Sequence, residues 1–239
     1  MAGYTILDPK QHKDLRIITE RGAEYGENLH IVPVLADELK VLVAEYAIFF
    51  IKDNQTGQFG LNVLTGFEPG ENLYLQKNLW QAHYVPLNLV RQPFMVGIKG
   101  EEGDKPSPQN TLVTINLDSP RVNKEKGEAL FDTKGKSTDF LNSINGLLVK
   151  FVQGMPRTQE FINTLLALEL LMPITLKFTL ADGEKKSFSG LYNIDEEKLA
   201  VLSGNELQSL HQKGYLQACH MIIASFGQIQ KLIDWKNNG

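Results

Sequence analysis

The sequence predicts an α+β fold: an antiparallel, β-rich N-terminal half with hairpins, and a helical C-terminal half that contains a second hairpin. Three features lead there. Aromatic and β-branched runs with a two-residue period dominate up to about residue 134. From about residue 135 the apolar spacing changes to that of helices. Inside this second part, Asp182-Gly183 separates two further strand-like runs, as a hairpin turn does. The expectation is one domain over residues 1–239, β-rich over about 1–134 and helix-rich over about 135–239.

The first hairpin is the firmest element. Tyr46-Ala47-Ile48-Phe49-Phe50-Ile51 reads as a buried strand, Asp53-Asn54-Gln55-Thr56-Gly57 as its turn, and Phe59–Leu64 as its partner. Further strands are expected at Leu73–Leu75, Phe94–Ile98, Thr111–Leu117 and Ala129–Phe131. The segment Gly100 to Pro108, rich in charge, proline and glycine, is expected as an exposed loop. Ser137 then caps a helix running to about Gln153, broken by Gly154 and Pro156. A second helix is expected from Arg157 to Leu171, before Pro173. Ile174–Leu180 and Ser187–Ile194 form the second hairpin. Asp195 caps a short helix through Leu202. Ser203 and Glu206 have capping-box spacing, and Gly214 closes that helix. A last helix spans Tyr215 to Trp235, followed by a fraying tail.

Bulk composition narrows the classes. The chain has 42% apolar and 22% charged residues, an ordinary globular balance. One cysteine, Cys219, excludes an intrachain disulfide and a Cys-rich zinc site. The N-terminal residues lack the pattern of a secretory signal, and no stretch approaches the roughly 18 apolar residues of a membrane span. A net charge of −4 gives no basic footprint for nucleic acid. The expected location is therefore cytoplasmic, with no membrane span and no nucleic-acid partner.

No catalytic, cofactor or metal constellation stands out. Gly135-Lys136-Ser137 follows a strand and opens a helix, but Leu130 stands where a P-loop needs its first glycine. His12, His30, His83, His211 and His220 show no ligand spacing. Neither a Gly-x-Ser-x-Gly elbow nor a strand-linked GxGxxG occurs. Cys219 falls on the apolar stripe of the last helix and reads as core. Glu101-Glu102 reads as a solvated charge run, and Asp195-Glu196-Glu197 as a helix start complementing the dipole. Glu169 lies among leucines and is expected on an exposed helix edge. A helix-turn-helix reading of the C-terminal segment fails on charge: five acidic residues face four lysines from Asp195 to Lys236. Catalytic residues, metal ligands and cofactor contacts are therefore all expected to be none.

The segment from Trp80 to Phe94 joins three aromatics, a histidine, an arginine and two prolines. Trp, Tyr and Arg are frequent binding anchors, and proline stiffens the chain. Trp80, His83, Tyr84 and Arg91 are the candidate contact residues. The competing reading is aromatic packing in an irregular core turn.

In this segment and in the second hairpin the chain resembles the bacterial SapC-like family, and the likeness covers nearly its whole length. The residues that carry it are Pro33-Val34, Glu45-Tyr46, Tyr84-Val85-Pro86, Pro93-Phe94, Leu130-Phe131-Asp132 before Gly135, Asp182-Gly183, Ser189 through Glu196 with Leu199, and Ser225-Phe226-Gly227-Gln228. Family members often carry proline after the first-strand tyrosine, where this chain has Ala47. The resemblance implies a bacterial protein of this size. The family name comes from surface-layer loci. Many members sit beside flavin-dependent tryptophan-halogenase-like enzymes, cupin-like oxygenases and TonB-dependent receptors.

Together these readings favour a non-catalytic cytoplasmic accessory protein that binds a protein partner, serving a tryptophan-halogenase-like enzyme or a TonB-linked uptake system. Two alternatives stay open: an enzyme whose site is assembled from distant residues, and a surface-layer-associated structural protein. The oligomeric state is not fixed by the sequence.

Overall fold

The computed structural model describes residues 3–98 and 111–238 of the chain, so the expected loop from Gly100 to Pro108, with Glu101-Glu102, lies outside the described residues. The architecture is α+β. Two compact units share the chain. One comprises Met1–Asn28, Leu75–Trp80 and Leu87–Gln153; the other comprises Leu29–Tyr74, Gln81–Pro86 and Gly154–Gly239. Neither unit is a continuous half of the sequence.

The second unit is built on a five-stranded antiparallel sheet in the order Leu171–Thr179, Lys185–Ile194, Ala47–Lys52, Phe59–Leu64, Ile31–Pro33. The first hairpin forms where its pattern places it, with Ile48 opposite Val63 and Phe50 opposite Leu61. Its turn closes because the Asp53 carboxylate accepts the amides of Gln55 and Thr56, at 2.9 and 2.7 Å. Gly57 takes a φ of 72°, which a Cβ would strain. The second hairpin pairs Leu171 with Ile194 and Thr179 with Lys185 across the Asp182-Gly183 turn. It joins the first through Leu191 opposite Ile51 and Tyr192 opposite Phe50. Ala47, Ile48, Phe49 and Phe50 are all buried, so this central strand is covered on both faces.

Helices Glu196–Ala200, Gly204–Gln212, Tyr215–Ser225 and Gln228–Asn238 complete this unit. Asp195 caps the first, and Ser203 with Glu206 forms the capping box of the second. Gly214 follows in the left-handed region at φ 74°. The last helix is not continuous: it divides at Phe226-Gly227, and helical structure runs on to Asn238. The break has a cause in side-chain bonding. The Ser225 hydroxyl accepts the Ile48 amide at 3.0 Å and donates to the Ile222 carbonyl. Phe226 stacks edge-on against Phe49, and Gln228 Nε2 donates to the Ala44 carbonyl at 3.0 Å.

The first unit carries a three-stranded sheet in the order Tyr4–Ile6, Thr111–Asn116, Phe94–Ile98, and a small one in the order Val122–Asn123, Arg16–Ile17, Glu128–Ala129. Its core gathers Ile17, Phe94, Ile115, Leu130, Leu141, Ile144 and Leu148. The strand expected at Leu73–Leu75 is limited to Leu75–Gln76, paired with Leu79–Trp80. The one expected at Ala129–Phe131 reduces to Glu128–Ala129 plus a bridge from Phe131 to Ser137.

One helix, Asp139–Ala167, replaces the two expected. Its cap is Thr138, not Ser137: Thr138 Oγ1 accepts the Leu141 amide at 3.3 Å. Pro156 sits inside and lacks the amide for the i−4 bond, a defect of about 3 kcal/mol. Burial on both sides of the defect offsets it. Leu141, Ile144 and Leu148 precede it, and Phe161, Ile162 and Leu165 follow, all nearly inaccessible. The helix closes with Leu170 N bonded to Leu165 O and Glu169 N to Leu166 O, the paired bonds of a Schellman motif. Glu169 therefore occupies a left-handed position (φ 52°) that usually goes to glycine. It is exposed, as expected, but lies past the helix end and pairs with Lys198 at 3.2 Å.

Candidate functional site

The residues singled out from sequence divide between the units. Trp80 and Arg91 belong to the first, His83 and Tyr84 to the second. The arrangement around His83 and Tyr84 is the more informative. The short run Gln81–Pro86 has no regular secondary structure of its own, so its backbone is held by bonds to side chains and to the neighbouring main chain. The His83 amide donates to the Glu45 carboxylate at 2.9 and 3.0 Å. The Tyr84 hydroxyl donates to Glu38 Oε1 at 3.0 Å, and the Tyr46 hydroxyl donates to the Tyr84 carbonyl. The Gln81 amide donates to the Tyr74 carbonyl at 2.7 Å.

Beneath the run lies an aromatic stack. Tyr46 and Tyr74 are fully buried and stacked at 4.5 Å, and Trp235 meets Tyr74 edge-on at 5.0 Å. Lys231 lies over the Tyr74 and Trp235 rings and donates to the Glu45 carbonyl, which also accepts from the Tyr74 hydroxyl. Burial lowers the Lys231 pKa, an effect that the nearby Glu45 charge opposes. Burial and then the Glu38 charge raise the Tyr84 phenol well above its ordinary range, so it stays a neutral donor. Buried Glu38 also accepts the Leu35 amide at 2.8 Å. The result is a rigid clamp that presents one reactive group: the His83 imidazole is fully exposed, with Nδ1 3.0 Å from Glu45.

Arg91 does different work. Its guanidinium donates to Asn88 Oδ1 at 2.7 Å and to the Phe94 carbonyl at 2.8 Å, and lies 5.0 Å from the Phe151 ring. Those bonds brace the turn into the strand Phe94–Ile98. Trp80, half-buried, pairs with Leu75 across the tight turn at Lys77 and Asn78.

The other motifs resolve into structure. Asp132 Oδ1 accepts the amides of Lys134 and Lys136, both at 2.8 Å, so the groups that a phosphate cradle would use are already occupied. Nearby, an open cleft of about 650 Å³ is edged by Lys10, Lys13, Arg16 and Lys124. Cys219 is fully buried and its thiol is pushed up to about 12 by desolvation. His12 is buried, its Nδ1 accepting the Asp8 amide at 2.9 Å. No group of three or more His, Cys, Asp or Glu able to hold a metal occurs among the described residues. No described helix is long and apolar enough to cross a membrane.

Sequence reading missed the partners that build the clamp: Glu38, Glu45, Tyr74 and Lys231. Glu45-Tyr46 was visible as a pair at the start of an aromatic strand; nothing in sequence ties it to a residue 38 positions on. Also missed was Glu27, fully buried between Arg21 and Arg121 in the first unit.

Fold and site together define an α+β protein whose irregular segment is fixed by an aromatic and carboxylate clamp. The SapC family model matches residues 7–232, across both units, and the chain belongs to that family. No curated protein and no solved structure matches it. Several residues of the resemblance now have physical roles: Glu45-Tyr46 and Tyr84 build the clamp, and Ser225 through Gln228 dock a helix break against the central strand.

Proposed function

We propose that this SapC-family chain is a non-catalytic cytoplasmic accessory protein that binds a protein partner through the surface around His83 and Tyr84. The observation that carries the reading is a fully exposed imidazole on a segment held at three backbone groups and at the Tyr84 hydroxyl. Ordering a loop costs about 1–2 kcal/mol per residue, so a segment already fixed loses little on docking. A lone exposed histidine next to a carboxylate, on a backbone already bonded in place, suits recognition of a polar partner group better than turnover. The family's neighbourhood supplies the partner class: a flavin-dependent tryptophan-halogenase-like enzyme or a component of TonB-linked uptake. In this reading Trp80 is a secondary contact, and Arg91 a brace.

The test is a binding titration between the purified full-length chain and the purified halogenase-like enzyme from the same bacterium, repeated with His83→Ala. The imidazole is exposed, so the variant keeps its fold. Micromolar or tighter binding that weakens at least tenfold in the variant supports the proposal. Equal binding by both proteins rejects the contact surface, and no binding to that enzyme or to the uptake component rejects the accessory role.

A further inference from the structure

The chain has a net charge of −4, yet the open cleft of about 650 Å³ in the first unit is edged by Lys10, Lys13, Arg16 and Lys124 against only Asp14 and Asp132. None of these four cations takes part in an ion pair among the described residues. Asp132 is already engaged, its Oδ1 accepting the amides of Lys134 and Lys136. Next to the lining in sequence, Asp8, Glu125 and Glu128 balance Lys126, Lys134 and Lys136, so the positive excess at the cleft stays. The backbone that carries the cations is braced. Arg16 lies on the central strand of the small sheet, opposite Asn123 and Ala129, and its Nη1 donates to the Gly127 carbonyl at 2.9 Å. Lys10 and Lys13 flank buried His12 on a turn that this residue pins: its amide donates to the Asp8 carbonyl at 2.8 Å, its Nδ1 accepts the Asp8 amide at 2.9 Å, and its carbonyl accepts the Leu15 amide at 3.1 Å.

Cations gathered around one concave space focus a field of a single sign, which an anion relieves. A monovalent anion leaves part of the excess, whereas adjacent phosphates match it. Lysine ammoniums are point charges with three rotatable donors, suited to phosphoryl oxygens that point in several directions. The amides of Gly135 and Lys136 are taken by Asp132, so the side chains must do the binding. The cleft is concave and has the volume of a small-molecule site, which favours a free ligand over a lipid surface or an extended nucleic-acid strand. We propose that this cleft binds the di- or triphosphate group of a small molecule, with Lys10, Lys13, Arg16 and Lys124 donating to its oxygens.

The experiment is isothermal titration of the full-length protein with sodium pyrophosphate, with sodium acetate at the same ionic strength as a probe of single charge. Pyrophosphate is expected to bind saturably with a submillimolar Kd that weakens as sodium chloride is raised, and acetate not to bind. Lys13→Glu and Lys124→Glu change exposed side chains, so the fold is kept, and each should weaken pyrophosphate about tenfold or more. Lys177→Glu makes the same change in net charge at an exposed strand position of the second unit, and should leave the affinity within about twofold. No saturable binding of pyrophosphate, equal binding of acetate, or an equal loss in Lys177→Glu overturns the proposal. Phosphatidylserine vesicles or a thymidine oligonucleotide bound more tightly than pyrophosphate, and released by Lys13→Glu, would also overturn it by assigning the cleft to a membrane or a nucleic acid.

Discussion

Glu27→Gln removes the carboxylate on which the interior of the first unit depends electrostatically. Glu27 is fully buried; Oε1 accepts from Arg21 Nη1 at 2.5 Å and Arg121 Nη2 at 2.6 Å, and Oε2 accepts the Gly22 amide at 3.1 Å. Glutamine keeps the shape but not the charge, and turns an NH2 group toward donors. Removing one partner of a buried ion pair costs about 3–5 kcal/mol because the remaining charge stays desolvated. For a chain of this size each kcal/mol lowers Tm by about 2–4 °C, so the expected drop is about 6–20 °C. Urea unfolding followed by far-UV circular dichroism gives the free energy directly, with an unchanged m-value showing that only stability moved. A double-mutant cycle with Arg121→Met should return part of the loss, since the stranded guanidinium is then gone. A Glu27→Gln cost under about 1 kcal/mol, the range of exposed ion pairs, would refute the argument that this network is desolvated.

Tyr84→Phe takes a donor from buried Glu38 and should cost about 1–2 kcal/mol at neutral pH in the same urea assay. Burial raises the Tyr84 pKa above 10.0, so its stabilising effect is complete below that value and is lost as pH rises past it; the gap between wild type and variant should narrow in alkali. Cys219 should be inert to Ellman's reagent in the native protein and react fully in denaturant, because burial holds its thiol near 12 against an ordinary 9.0. By the same sign rule, stability contributed by the neutral thiol is present below about pH 9 and declines above it. Gly146→Ala, in a helix interior with open space around the position, should stabilise by about 1 kcal/mol. Glu169→Gly, at a left-handed helix end, should do so by about 1 kcal/mol, the exposed Lys198 pair offsetting little.

Local chemistry explains which elements were legible from the sequence. Asp53 with Gly57 and Asp182 with Gly183 specify their turns within a few residues, so both hairpins form where the pattern puts them. Asp195 and the Ser203–Glu206 box likewise cap the next amides along the chain. The misreadings arose where distant contacts outweighed local signals. Pro156 is a breaker by itself, yet the helix crosses it because apolar side chains are buried on both sides. The last helix has an unbroken apolar stripe, yet it divides where Ser225 bonds Ile48, 177 residues away. Gly135-Lys136-Ser137 fails as an anion cradle for a reason nearly visible in sequence: the Asp132 carbonyl accepts the Gly135 amide and its carboxylate the Lys136 amide.

By itself the sequence determined the α+β class, the two hairpins, most helix caps and a family likeness, because periodicity, turn residues and caps act over a few positions. It also marked His83 and Tyr84. Tertiary structure alone decided that hairpins from opposite ends of the chain form one sheet, that Glu38, Glu45, Tyr74 and Lys231 hold the marked segment, and that Glu27 bridges two arginines about 100 residues apart. Those pairings rest on burial, which strengthens a hydrogen bond or ion pair only once the fold has excluded water, and no spacing along a chain encodes which distant partners will share that exclusion.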